Sequence, residues 1–180
     1  MTSTPSSPLW RRAAWLVALA APLWLAACDS ANTANSLAPL EIDASTTCEL
    51  DGMLLADYPG PKGQIFYSGQ DKPQFFCDTV ELLHTLLQPE QVQAVASAYV
   101  QDMGKADWDK PRGQWIDART ALYVIGGKRH GSMGPTIGSF AVDADAQAFA
   151  QQWGGKVLRF ADIKPDMVDL SGGALHDSKM

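Results

Sequence analysis

The first regular hydrophobic pattern in the chain predicts two strands, a helix and a third strand. Residues 63–68 place alternate side chains on two faces, which indicates a strand, and a polar turn separates them from a second short strand at 74–77. Asp78 or Thr79 can cap the helix that follows. The apolar residues of this helix recur at helical spacing: Val80, Leu83, Leu86 and Leu87. A strand at 94–100 completes a ββαβ unit.

The same order of elements recurs later in the chain. Strands are predicted at 121–125 and 138–142, and Asp143 is the predicted cap of a second helix. That helix carries apolar residues at helical spacing: Ala146, Phe149, Ala150 and Trp153. Paired glycines end it, and a closing strand follows at 156–160. The pattern therefore predicts an α+β fold of two homologous ββαβ units in tandem.

These patterns divide the chain into five segments. Residues 29–47 are rich in Ser, Thr, Asn and Ala and show no hydrophobic period, which is typical of a flexible tether. The predicted segments are a lipoprotein signal peptide (1–27), a flexible tether (28–47), the first ββαβ unit (48–104), the second unit (105–163) and a flexible tail (164–180).

The beginning of the chain has the features of a bacterial lipoprotein signal. Arg11-Arg12 precede an apolar run at 13–27, which is too short for a comfortable membrane span. The run ends in Leu25-Ala26-Ala27-Cys28, which has the form of a lipobox. We therefore expect Cys28 to carry the lipid anchor and the folded part to lie on the periplasmic side of a bacterial membrane. Whether that membrane is the inner or the outer one stays open.

Composition excludes several classes of protein. The 180 residues are 46% hydrophobic and 19% charged, which suits a folded core rather than a disordered chain. The net charge of −6 argues against a nucleic-acid partner. No phosphate-binding loop, HExxH or CxxC motif is present, and no acid–base pair stands out. We therefore predict that the protein is not an enzyme.

Methionines on loops supply the first candidate chemistry. Met53, Met103 and Met133 each adjoin a glycine and lie outside the apolar periods of the helices and strands. Thioethers suit Cu(I), which is a soft ion and prefers sulfur ligands. Methionine also fills gaps in hydrophobic cores, and either role suits any one of the three.

Two cysteines and a histidine leave several alternatives open. Cys48 can supply an anionic sulfur to a metal, or it can form a disulfide with Cys77 in an oxidising compartment. Cys77 ends an apolar strand, and if it faces the core it cannot reach Cys48. His130 lies three residues before Met133 and is either a further ligand or a solvated loop residue.

The chain resembles the NosL family, accessory lipoproteins that carry copper to nitrous oxide reductase in the bacterial periplasm. The resemblance runs from about Cys48 to Ile163, although residues 49–51 separate Cys48 from Gly52-Met53, where the family has a tight Cys-Gly-Met. The motifs that carry it are Tyr58-Pro59-Gly60-Pro61-Lys62-Gly63-Gln64-Ile65-Phe66, Tyr99-Val100-Gln101-Asp102-Met103-Gly104, Trp115-Ile116-Asp117-Ala118-Arg119, Tyr123-Val124-Ile125-Gly126, Gly131-Ser132-Met133-Gly134 and Arg159-Phe160-Ala161-Asp162-Ile163.

The resemblance implies a membrane-tethered Cu(I) chaperone. Its metal ligands are expected to be Cys48, Met53 and Met133, with His130 or Met103 as a further donor. The implied partners are apo nitrous oxide reductase and the membrane maturation proteins of the same pathway.

Two rival functions remain. One is an adaptor lipoprotein that binds no metal and is stabilised by a Cys48–Cys77 disulfide. The other is an enzyme similar to organomercurial lyase, in which Cys48, Cys77 and Asp51 would cleave a carbon–mercury bond. The loop methionines would have no role in such an enzyme.

Overall fold

The first half of the fold is a four-stranded antiparallel sheet covered by one helix. The computed structural model describes residues 37–90 and 92–170. Within them, the strands of this sheet run in the order β2-β1-β3-β4. Its elements are β1 (Gly63–Tyr67), β2 (Gln74–Phe76), helix α1 (Thr79–Leu86), β3 (Val95–Gln101) and β4 (Trp115–Asp117).

The second half is a three-stranded antiparallel sheet, in the order β8-β5-β9, with a second helix and a small hairpin. The elements are β5 (Leu122–Ile125), the hairpin strands β6 (His130–Gly131) and β7 (Gly134–Pro135), β8 (Gly138–Phe140), α2 (Asp143–Trp153) and β9 (Lys156–Arg159). In the first sheet β1 lies between β2 and β3, and in the second sheet β5 lies between β8 and β9. Helix α1 precedes β3, and helix α2 precedes β9 in the same way. This architecture confirms the predicted α+β class and is compatible with tandem units.

The two halves share one hydrophobic core. The largest buried cluster combines side chains of the first half, such as Ile65 and Leu82, with Tyr123 and Ile137 of the second. Hydrogen bonds join the end of β3 to β8: the Ser139 hydroxyl donates to the Gln101 carbonyl over 2.7 Å, and the Met103 amide donates to the Ser139 carbonyl over 2.8 Å. The halves therefore pack as one body.

Residues 37–47 lie along the first sheet, so the predicted tether is wrong for this stretch. The Gln64 side chain is buried and exchanges two hydrogen bonds with the backbone of Leu40, at 2.9 and 3.0 Å. The Tyr99 hydroxyl donates to the Leu37 carbonyl over 2.7 Å, and Ile42 is buried. The backbone of this stretch is bonded by side-chain amides and hydroxyls instead of by a neighbouring strand. Hydrophobic periodicity does not reveal such contacts.

Part of the predicted tail is also packed. A short 3₁₀ turn at Pro165–Val168 buries Val168, whose carbonyl lies 3.1 Å from Nδ1 of His84 on α1. The signal peptide, Cys28, residues 28–36 and residues 171–180 lie outside the described residues. Within the described residues, no helix combines the length and hydrophobicity needed to cross a membrane.

The two helices begin differently. Of the two predicted caps of α1, Asp78 occupies the cap position, since its carboxylate accepts a hydrogen bond from the Val80 amide. The cap predicted at Asp143 is wrong, because Val142 occupies the cap position and makes no side-chain cap bond. Asp143 and Asp145 instead lie in the first turn of α2, where negative charge interacts favourably with the helix dipole.

We expect Gly63→Ala to destabilise the fold by about 1–3 kcal/mol because the packing between β1 and α1 leaves no room for a methyl group. A Cβ at Gly63 would lie 2.9 Å from Cβ of Leu82 and 2.4 Å from its Cδ1. Urea unfolding of the soluble protein from residue 29 onward measures the change. Gly127→Ala is the matched control, because the nearest atom to its Cβ would be 3.4 Å away. Equal unfolding midpoints for both variants would contradict the expectation.

Candidate metal centre

The fold brings two cysteines and two carboxylates together at one end of the first sheet. One ligand atom from each of Cys48, Asp51, Cys77 and Glu81 lies within 4.8 Å of the other three. Both cysteines are free thiols and are buried, as is Glu81, whereas Asp51 is exposed. The thiols belong to a small hydrophobic cluster with Ile42 and Leu55, with Phe75 and Trp115 packed against it. The group is therefore open to solvent only on the side of Asp51.

A tight turn positions Cys48. The Cys48 amide donates to the Met53 carbonyl over 2.9 Å, and Gly52 takes the left-handed conformation that the turn requires, with φ of 75°. The Asp51 carboxylate accepts from the Met53 amide, also at 2.9 Å, which stabilises the turn. Because the bridge between Thr47 and Leu54 sets the register, Cys48 lies opposite Met53. Residues 49–51 thus form the turn that pairs these two positions.

The start of α1 positions Cys77 and Glu81. Cys77 follows β2 directly, and Asp78 then caps the helix, so Glu81 lies one turn along it and points back toward Cys77. Oε2 of Glu81 is 3.3 Å from the sulfur of Cys77 and 3.3 Å from that of Cys48. A backbone hydrogen bond of 2.8 Å from Glu49 to Phe75 holds the Cys48 turn against β2.

The expectation that a core-facing Cys77 cannot reach Cys48 is therefore wrong. Cys77 is fully buried, as its apolar context predicts, but Cys48 is buried in the same cluster. The sulfur of Cys77 also lies 3.8 Å from Oδ2 of Asp51. Cys77 is thus both a core residue and a candidate metal ligand.

The two thiols differ in acidity. Interaction with the neighbouring Cys77 thiol lowers the pKa of the Cys48 thiol, because it stabilises the Cys48 thiolate. The same interaction, with burial, raises the pKa of Cys77. Cys48 is therefore the more acidic of the two thiols.

The β6–β7 hairpin reaches the centre from the second half of the fold. The Ser132 hydroxyl donates to the Cys77 carbonyl over 3.0 Å, and the Thr136 hydroxyl donates to the buried carboxylate of Asp78. Met133 follows Ser132 at the tip, and its side chain is 55% exposed. It thus lies on the exposed rim of the hairpin that contacts the centre through Ser132, whereas the thiols are buried at the floor of the centre.

Aromatic and glycine contacts fix the base of the hairpin. The guanidinium of Arg129 lies 4.1 Å from the ring centre of Trp108, whose Nε1 donates to the His130 carbonyl over 2.8 Å. A Cβ on Gly60 would lie only 2.8 Å from Cα of Gly131, so the turn before β1 touches the hairpin backbone. The side chain of His130 is exposed.

Met103 lies in a different part of the core. Its side chain is half-buried against the second hydrophobic cluster, which contains Trp108, Phe140 and Phe149 and neither thiol. The structure therefore gives Met103 a packing role and does not bring it to the centre.

A buried lysine lies beneath the thiols. Nζ of Lys62 donates to the carbonyls of Pro59 and Cys77, each over 2.9 Å, and its side chain is fully buried. Burial lowers the pKa of Lys62, while the negative potential of Asp78, Cys77 and Glu81 acts in the opposite direction.

Sequence reasoning missed Glu81 and Lys62 and treated Asp51 only as part of an enzyme. The spacing Cys77-Asp78-x-x-Glu81 carried a usable signal, because a capped helix start places residues four apart on one face. No pattern in the sequence indicated that Lys62 is buried, because lysine is rarely buried in proteins.

Comparisons with known proteins agree with one another. A NosL family model matches residues 39–168. The chain is 41% identical over 148 residues to the copper-binding lipoprotein NosL of Stutzerimonas stutzeri, covering 79% of this chain and 77% of that protein. It is 38% identical over 156 residues to the copper-binding lipoprotein NosL of Achromobacter cycloclastes, covering 84% and 81%. The crystal structure of the copper chaperone NosL from Shewanella denitrificans is 44% identical, with a TM-score of 0.67, covering 72% of this chain and 96% of that one.

We expect Asp78 to make folding stability depend on pH. Burial raises the pKa of this carboxyl from 3.8 to about 6. Between pH 6 and 4 the folded state therefore binds more protons than the unfolded state, so the stability that Asp78 contributes is highest below pH 4 and declines as the pH rises through 6. Asp78→Asn keeps a capping oxygen and should remove this dependence, which is on the order of 1–3 kcal/mol. Urea unfolding of both proteins at pH 4, 5, 6 and 7 tests it, and parallel pH profiles would refute it.

Proposed function

The chain belongs to the NosL family, and on that premise we propose that it is a copper chaperone that binds one Cu(I) and passes it on in the bacterial envelope. The relatives named above are described as copper-binding lipoproteins and a copper chaperone. The observation that carries the proposal is the buried pair of free thiols, Cys48 and Cys77, with Met133 at the rim. Sulfur donors of this kind suit a soft monovalent ion.

The proposed ligands combine two strong donors and weaker ones. The thiolates of Cys48 and Cys77 hold the ion at the floor of the centre, and Met53 lies opposite Cys48 across the turn. Met133 supplies a thioether from the hairpin, and His130 is a further candidate donor. Loading releases the thiol protons, so affinity rises with pH.

An exposed donor beside buried ones suits transfer by ligand exchange. A partner's donor atoms can approach at the side of Asp51 and Met133, which is open to solvent. Weak thioether ligands leave first, and the thiolates release the ion last. This process needs no catalytic residue.

We further propose that the acceptor is apo nitrous oxide reductase, with the membrane maturation proteins of denitrification as neighbours. This step rests on family membership. The lipobox at Cys28 supports attachment to a membrane on its periplasmic side, which keeps the chaperone in the compartment of its partners.

Two other functions compete with this one. A disulfide-stabilised adaptor would oxidise the thiol pair and bind no metal. The proximity of Cys48, Cys77 and Asp51 specifically favours an activity like that of organomercurial lyase. Neither alternative gives a role to the methionine at the rim.

We expect the soluble protein to compete for one Cu(I) with a chromophoric Cu(I) chelator under anaerobic conditions. Cys48→Ser and Cys77→Ser should each weaken binding by 100-fold or more, on the order expected when a thiolate ligand to Cu(I) is lost. Met133→Leu should weaken it by about tenfold, because a thioether is the weaker donor.

Met167→Leu is the matched control, because Met167 is also an exposed methionine but lies in the 3₁₀ turn beside α1. No competition by the wild-type protein would overturn the chaperone proposal. In that case, blocked alkylation of both thiols before reduction would favour the adaptor, and protonolysis of an organomercurial that requires Cys77 would favour the enzyme.

We also expect copper to move from the loaded protein to apo nitrous oxide reductase faster than through free solution. Dilution with an excess of Cu(I) chelator should slow delivery by free copper but should not slow direct exchange. Met133→Leu should reduce the transfer rate more than Met167→Leu does. Transfer whose rate equals that of spontaneous dissociation would contradict direct exchange.

A further inference from the structure

The ligand types at the centre do not by themselves select a monovalent ion. Two thiolates from Cys48 and Cys77 with two carboxylates from Asp51 and Glu81 lie within 4.8 Å of one another. Sulfur and carboxylate donors in a group of four also suit Zn²⁺, which binds tetrahedrally to such ligands. Something other than donor type must favour Cu(I) over a divalent ion.

A fixed positive charge lies beside this group. Lys62 is the one basic side chain among the buried polar residues in the part of the chain that the structure describes. Its ammonium donates to the carbonyl of Cys77, and its charge interacts with both thiols, with Glu81 and with Asp78. A charge in such a buried place is weakly screened by solvent.

The surroundings hold Lys62 in place. Its backbone amide donates to Oε1 of the buried Gln101 over 3.0 Å, and its ammonium also donates to the carbonyl of Pro59. Pro59 belongs to the proline- and glycine-rich turn that precedes β1. These hydrogen bonds and the burial of the side chain hold the ammonium next to Cys77, so an ion at the thiols meets its field.

We propose that Lys62 is a specificity-determining residue that favours monovalent Cu(I) over divalent ions at the Cys48–Cys77 centre, a role that rests on the proposed function. With the same thiolates and carboxylates around it, a monovalent ion leaves the centre with one more negative charge than a divalent ion does. The ammonium of Lys62 therefore stabilises the Cu(I)-loaded centre more than the centre loaded with a divalent ion. The Cu(I)-loaded centre and the centre loaded with a divalent ion differ by one positive charge, whichever protons the thiols carry before the ion binds. The ratio of the two affinities therefore depends on Lys62.

The test measures Cu(I) and Zn²⁺ affinities of the soluble protein with a chromophoric chelator for each ion. Lys62→Met removes the charge and keeps the length of the side chain. The ratio of Cu(I) affinity to Zn²⁺ affinity should decrease by 10- to 100-fold, the range usual for residues next to metal ligands. Lys62→Arg keeps the charge and should hold the ratio near that of the wild type. Lys110→Met removes an exposed lysine and is the matched control.

The ratio separates a charge effect from a structural one. Partial unfolding lowers both affinities together and leaves their ratio unchanged, and if Lys62→Met does not fold, Lys62→Gln replaces it. An unchanged ratio in a folded variant lacking the charge would overturn this inference while leaving Cu(I) binding intact. If the wild-type protein binds no Cu(I), the proposed function itself fails.

Discussion

The buried carboxylate of Asp78 is the interaction on which the rest of the structure depends. It caps α1, and it accepts hydroxyl hydrogen bonds from Ser132 and Thr136 of the opposite half. Burying a carboxylate is costly unless it is fully hydrogen-bonded. Donors from both halves offset part of that cost, so the start of α1 and the hairpin cannot separate without breaking these hydrogen bonds. Cys77 directly precedes Asp78, so the same hydrogen bonds also position Cys77.

The centre combines features that stability alone would not favour. Two thiols, Glu81 and Lys62 are buried together, and each ionisable group loses hydration there. In return, charges interact strongly in this low-dielectric environment. In the proposed function these charges are the thiolates, the ammonium and the bound ion. The hydrophobic surroundings of Ile42 and Leu55 keep water from the sulfurs. In the function that we propose, this protection matters because thiolates are sensitive to oxidation.

The buried thiols and the exposed methionine lie at different depths in the centre. The thiols at the floor are buried, whereas Met133 at the rim is exposed. The rim residue is carried by a hairpin that Arg129 and Trp108 anchor at its base, so its position is set by the second half of the fold. In the function that we propose, the first half supplies the strong ligands, and the second half supplies the group that an acceptor meets first.

The sequence by itself determined the α+β class, six of the strands, both helices, a cap at Asp78 or Thr79, and the family, but not β4 or the β6–β7 hairpin. These features are encoded locally, in hydrophobic periods, turn residues and short motifs. Only the tertiary structure decided that Cys77 meets Cys48, that Lys62 is buried beside them and that Met103 packs elsewhere. Such pairings depend on which segments lie side by side, and the period of a strand or helix fixes its faces without fixing its neighbours.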